Sequence, residues 1–88
     1  MKKHIVKSHP KPFAQVWDGS KRHEIRINDR GYEQGDAIEL REFNPHTKEY
    51  SGRSIDAVIG NCTHGGNFGL AADLCCFTLL HVHPQENL

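Results

Sequence analysis

Gly19-Ser20-Lys21-Arg22-His23-Glu24-Ile25-Arg26-Ile27-Asn28 is the stretch on which the fold turns. From His23 to Asn28, polar or charged residues alternate with isoleucine, the period of a strand with one buried face. Ile25 and Ile27 are expected to point into a core, and Glu24, Arg26 and Asn28 to point away from it. Lys21 stands just before the strand, where it can lean over the charged face. Gly19 is suited to end the preceding segment, because glycine readily takes the left-handed conformation that closes a helix.

Working back from Gly19, Phe13, Val16 and Trp17 share one helical face. Pro10 and Pro12 fit the first turn of that helix, where an amide would be unpaired in any case. Phe13 or Trp17 is expected to cover Ile25 and Ile27. Before the helix, His4 to Lys7 reads as a short strand around Ile5-Val6. Working forward, Asp29 to Gly35 is a polar turn containing two glycines, and Ala37 to Phe43 is a strand. Asn44-Pro45-His46-Thr47 fits a type I turn, and Gly52 punctuates the return to a strand over Ser54 to Gly60. A glycine-rich loop over Gly65 to Gly69 and a helical turn over Leu70 to Asp73 lead to a last strand, Cys75 to Val82. That strand is apolar on both faces and is expected to lie centrally. Residues 84–88 read as a tail, leaving a core of about 4–83. One short helix and about five strands in 88 residues predict a single α+β domain, mostly β. The expected form is a partly closed barrel with the helix at one end.

Composition narrows the function classes. The chain is 36% hydrophobic and 25% charged, enough apolar material for one modest core. Its formal net charge of +0 argues against non-specific binding to polyanions over the whole surface. A local basic patch remains open, since Lys2, Lys3, Lys7, Lys11, Lys21, Arg22, Arg26 and Arg30 load the first third. The three cysteines are an odd number, and Cys75 and Cys76 are adjacent, so they point to opposite faces of a strand. Met1-Lys2-Lys3 is not followed by the apolar run of a secretory leader. A cytoplasmic protein with reduced thiols is expected, and no segment has the ~20 apolar residues of a membrane span.

Gly19, Lys21, Glu24 and Arg26 occupy all four specified positions of Gly-x-Lys-x-x-Glu-x-Arg, and here the chain resembles the ASCH domains of the PUA-like superfamily. Asn28-Asp29-Arg30, Gly35-Asp36, Leu40 to Pro45 and Glu49 to Arg53 are similar to a bacterial and phage ASCH-related group. The resemblance covers roughly residues 4–60 and the last strand, and leaves 61–73 unmatched. It implies a PUA-like barrel with a cleft beside the motif, and RNA, a nucleotide or a nucleoside as ligand. Two cations around one carboxylate suit a phosphate, or a base edge that needs donors and an acceptor. Lys21 and Arg26 would donate, Glu24 would accept from a base amine or orient Arg26, and Asn28 and Arg30 would extend the site. Tyr32, in the polar loop beside the motif strand, is expected to be exposed and to stack on a base. The plainer account of Glu24 and Arg26 is an ion pair that anchors the helix to the barrel.

Some relatives in the wider family hydrolyse N4-acetylcytidine with the motif lysine, a threonine and a later glutamate. Lys21 fits the first role, but Glu24 stands where those relatives have threonine. Asp73 and Glu86 are the available later acids, and the helical insertion before the last strand is missing. A monomeric, non-catalytic binding module is therefore the first reading. The alternatives are an amidohydrolase or ribonuclease using Lys21 and Glu24, and a phage- or plasmid-associated protein-interaction domain in which the motif is structural. Cys62-x-His64 and His81-x-His83 are the best metal-like pairs, but they fall short of zinc spacing, so neither metal nor cofactor is expected.

Overall fold

The computed structural model describes residues 1–86. Its elements are β1 (Lys3–Ser8), α1 (Pro10–Trp17), β2 (His23–Ile27), β3 (Ala37–Asn44), β4 (Glu49–His64) and β5 (Leu74–Glu86). The five strands form one sheet in the order β1-β3-β4-β5-β2. β1 runs parallel to β3, and the other neighbours are antiparallel. The two edges are thus the first two strands of the chain.

Helix α1 starts where Pro10 can stand without an amide partner, and the His9 carbonyl accepts the first helical bond from the Phe13 N–H at 2.9 Å. Phe13 and Val16 are buried, and Trp17 packs beside them. The Arg53 guanidinium lies 4.8 Å from the Trp17 ring and 5.5 Å from that of Phe13. It donates twice to the buried Glu42 carboxylate, at 3.0 and 3.1 Å, and so fastens the helix to β3 and β4.

Three register shifts bend the sheet into a half-barrel, one of them where β4–β5 pairing jumps from Ile59↔Leu79 to Cys62↔Phe77. Between β3 and β4, pairing jumps from Arg41↔Ser54 to Phe43↔Tyr50, with Gly52 at φ 94° inside the extra length. Between β4 and β5, it jumps from Asp56↔His83 to Val58↔Leu80, with His81 at φ 53°. Such bulges kink a strand and increase its twist. Gly52 therefore lies within a strand rather than ending a turn, and β4 is far longer than Ser54 to Gly60. The last strand is longer as well. Pro84, Gln85 and Glu86, expected in a tail, pair with Ile55, Ser54 and Arg53, while 87–88 lie outside the described residues. β5 does lie between two strands. The stretch 70–73 holds no helix; a tight turn over 71–74 is closed by the Leu74 N–H on the Ala71 carbonyl at 3.0 Å.

The main correction concerns β2. Ile25 and Ile27 are 55% and 60% exposed, whereas Glu24 is 4% exposed. Residues opposite one another in an antiparallel pair share a face. Glu24 lies opposite Phe77 and Arg26 opposite Cys75, both buried, so the charged face of β2 turns inward. The core cluster instead includes Tyr32, from the loop between β2 and β3. This residue is only 1% exposed and packs on Phe77 at 5.2 Å and His4 at 4.7 Å between ring centroids. Tyr32 is thus a core residue and offers no free face to a base.

Beneath Tyr32, His4 Nε2 and an Asp36 carboxylate oxygen lie 2.8 Å apart in the interior. Asp36 also accepts from the Lys2 and Glu33 amides at 3.1 and 3.2 Å. Burial pushes the Asp36 carboxyl up, but these hydrogen bonds outweigh it and hold the group below its ordinary range.

Candidate functional site

The half-barrel does not close through its backbone. Its edges β1 and β2 are bridged by the Arg26 side chain, whose Nη2 donates to the Lys7 carbonyl at 2.9 Å. A groove of about 740 Å³ runs along this seam. That volume falls in the range of small-molecule and cofactor sites, roughly 300–1,000 Å³.

The floor holds the motif. Glu24 accepts from Lys21 Nζ through one oxygen at 3.0 Å and from Arg26 Nε through the other at 2.9 Å. Gly19, at φ 88°, lets the chain turn sharply after α1, and the Lys21 amide then bonds back to the Gln15 carbonyl at 3.0 Å. This places the lysine beside a carboxylate three residues on. Both cations are largely covered, so the trio forms a satisfied buried network rather than a surface ion pair. It carries one positive charge more than Glu24 neutralises. Arg26 uses Nε and Nη2 in these contacts, and Nη1 takes part in neither.

Ile5 and Lys7 form one lip of the groove, and Ile25 and Ile27 the other. Asp29 and Arg30 stand at the β2 side, Arg41 and Tyr50 beyond Lys7. Five cations (Lys7, Lys21, Arg26, Arg30 and Arg41) thus line the groove with two carboxylates, Glu24 and Asp29, on a chain of formal net charge +0, and Arg41 is paired through Nε with Glu39 at 2.6 Å. Positive charge is concentrated here at the expense of other surfaces. The backbone of β2 adds polar groups. The Leu79 N–H bonds to the Arg22 carbonyl at 2.9 Å and the Asn28 N–H to that of Asp73 at 2.8 Å, which sets the pairing parity. By that parity, the N–H and C=O of Ile25 point to the open edge.

Lys21, Glu24 and Arg26 are therefore brought together, and Arg30 joins them on the groove wall. Asn28 does not reach the groove. Its side-chain oxygen accepts from the Tyr32 amide at 3.1 Å and holds the following loop in place. Tyr32 lies under the floor; burial pushes its phenol up, against the pull of Arg26 and Arg30. Sequence reasoning missed Ile5, Lys7, Arg41 and Tyr50. The hairpin around Asn44-Pro45 was the available signal for Tyr50, since it pairs Phe43 with Tyr50. Neither Asp73 nor Glu86 lines the groove. Among the described residues, no three His, Cys, Asp or Glu side chains gather as a metal site, and no helix is long and apolar enough to cross a membrane. Cys62, Cys75 and Cys76 are free thiols, and burial raises the first two.

Residues 3–79 match the family described as Domain of unknown function (DUF3850). The chain belongs to the DUF3850 family. The matched span runs from β1 into β5 and includes every residue named above as lining the groove. This DUF3850 chain is also 42% identical, over 60 residues, to the protein of Escherichia phage P2 called "Uncharacterized 12.9 kDa protein in GpA 3'region". The alignment takes in 68% of the chain and 53% of the phage protein, so the chain spans about half the length of this curated relative.

Proposed function

We propose that this DUF3850 domain is a non-catalytic binding module of the ASCH/PUA-like type, holding RNA or a nucleotide in the seam groove. The observation that carries this reading is the excess of cations in an open groove of a neutral chain, five against the two lining carboxylates Glu24 and Asp29, with Lys21 and Arg26 both held on the buried Glu24. Apolar lips beside a cationic floor suit a ligand with a flat, weakly polar base and an anionic phosphate. Arg26 Nη1 and the Lys21 ammonium supply donors, and Arg30 adds charge at one end. Glu24 is held by two cations, which leaves it a poor general base and supports binding over amide or phosphodiester hydrolysis. Free thiols fit a reduced, cytoplasmic setting, and the protein acts as a monomer in this reading.

A second reading is a phage- or plasmid-associated protein-interaction domain. It is favoured by the open backbone edge of β2 and its exposed isoleucines, to which an extended peptide could add a strand. Titration of labelled protein with mononucleotides, short RNA and an extended peptide, followed by NMR shifts, separates the two. Saturable shifts at Lys21, Arg26 and Arg30 with nucleotide or RNA are expected. Shifts confined to the β2 backbone, produced by peptide alone, would overturn the nucleotide reading.

A further inference from the structure

The groove continues past the motif to an aromatic ridge. β1 lines it from Ile5 to Ser8, a rise of roughly 10 Å at ~3.3 Å per residue, and Arg41 and Tyr50 extend it. Lys7 and Arg41 are register partners on adjacent strands, so both cations stand at the same height along the groove. Tyr50 follows on β4, opposite Phe43 and two β3 positions beyond Arg41. The Phe43 ring is covered on two sides, by the Lys7 ammonium at 4.4 Å and by Tyr50 at 5.0 Å between centroids. Tyr50 itself is 53% exposed and borders two further concavities, one with Arg53 and one with Pro10. It is a supported aromatic with an open face, flanked by cations, and its strand β4 lies two strand spacings from β1, roughly 10 Å at ~4.8 Å each, on the side away from the Lys21–Arg26 pair.

Resting on the reading of the groove as a nucleotide site, we infer that its ligand is a single-stranded oligonucleotide of at least two residues, with one base stacked on Tyr50. One phosphate meets Lys21 and Arg26, and the next meets Lys7 and Arg41. A base-stacking aromatic alternating with backbone-facing cations is how single strands are bound without sequence reading. Lys7 and Arg41 add to salt dependence, and Tyr50 contributes stacking.

The test is fluorescence anisotropy with labelled single-stranded hexaribonucleotide and hexadeoxyribonucleotide, competed by unlabelled mononucleotide and dinucleotide. Variants Tyr50→Ala, Tyr50→Phe, Arg41→Ala and Lys21→Ala are checked for folding by circular dichroism. The dinucleotide and hexamer are expected to bind at least about tenfold more tightly than the mononucleotide. Tyr50→Ala is expected to weaken hexamer binding about tenfold, about 1.4 kcal/mol, with mononucleotide affinity unchanged and with Tyr50→Phe close to wild type. The two hexamers show whether the 2′-hydroxyl contributes. Equal affinity for mononucleotide and hexamer, with Lys21→Ala weakening both and Tyr50→Ala neither, overturns this inference while leaving the nucleotide site standing. No binding of any of them overturns both.

Discussion

Replacing Arg26 with alanine removes two hydrogen bonds at once, from Nε to Glu24 and from Nη2 to the Lys7 carbonyl, each of 2.9 Å. It leaves a carboxylate of 4% exposure with Lys21 as its remaining ion-pair partner. Removing one partner of a fully buried ion pair costs about 3–5 kcal/mol. Here Glu24 keeps a second cation and Arg26 is partly open to solvent, so about 2 kcal/mol is the better figure. For a domain of this size, each kcal/mol moves the melting temperature by roughly 4–8 °C, so Arg26→Ala should lower it by roughly 8–16 °C. Urea denaturation followed by far-UV circular dichroism reads the same loss as a shift in midpoint with little change in slope. The double variant Glu24→Met/Arg26→Met, which removes the buried charge together with its partner, should recover much of the loss. A melting temperature for Arg26→Ala within 2 °C of wild type, measured with roughly ±0.5 °C precision, would refute the description of the trio as a buried network. Sequence alone points Arg26 away from the core; the inward turn of β2 is what makes its loss costly.

The exposed isoleucines make a contrasting case: Ile25→Thr should change stability by less than about 0.5 kcal/mol, whereas Tyr32→Ala should cost about 3–5 kcal/mol in chemical denaturation. The opposite ranking would return Ile25 to the core. Asp36 and Glu42 give a pH dependence of defined sign. Burial raises both, but hydrogen bonds from His4, from backbone amides, from Arg53 and from Ser51 lower them further, below the ordinary 3.8 and 4.5. Their stabilisation is fully present above those ordinary values and is lost as pH falls through the lower folded ones. Acid titration of the melting temperature should therefore be flatter below pH ~4.5 in Asp36→Asn and Glu42→Gln than in wild type; parallel curves would contradict it. Incubation with N4-acetylcytidine should release no cytidine by chromatography. Multiple turnovers lost in Glu24→Gln but kept in Glu49→Gln would falsify the binding reading and make Glu24 a water-activating base.

The alternation through His23 to Asn28 was enough to predict a strand and to say which of its residues share a face. It could not say which face is inward, because a period of two is symmetric between them. That was settled by the pairing of β2 with β5, some fifty positions away, which puts Glu24 opposite Phe77. Tyr32 was hidden by its surroundings. A loop rich in Asp, Arg and Gly gives no hint that its tyrosine enters the core, and the Asn28 side chain that holds the loop is local only in hindsight. The strand ends were misread for a related reason: Gly52 looks like an interruption in sequence but sits in a bulge within a continuous strand, and Pro84 looks like the start of a tail but pairs with Ile55. Of the candidate site, Lys21, Glu24 and Arg26 were legible because they are close in sequence. Lys7, Arg41 and Tyr50 come from three strands and meet only through register.

Placing the first two strands at opposite edges of the sheet has a consequence for how the site comes into being. β3, β4 and β5 are consecutive antiparallel neighbours that can pair through short connections, while β1 and β2 must find partners far along the chain. Loop-closure entropy favours the local pairings early and the distant ones late. Residues 1–27 should then wrap the completed three-stranded meander last, along both flanks at once. Lys7, Lys21, Glu24 and Arg26 all ride on that segment, so the groove is absent from any earlier intermediate and forms together with the final docking step. Amide exchange in β2 should accordingly be faster than in β4, and a ligand in the groove should slow it selectively, by stabilising the part of the molecule that folds last.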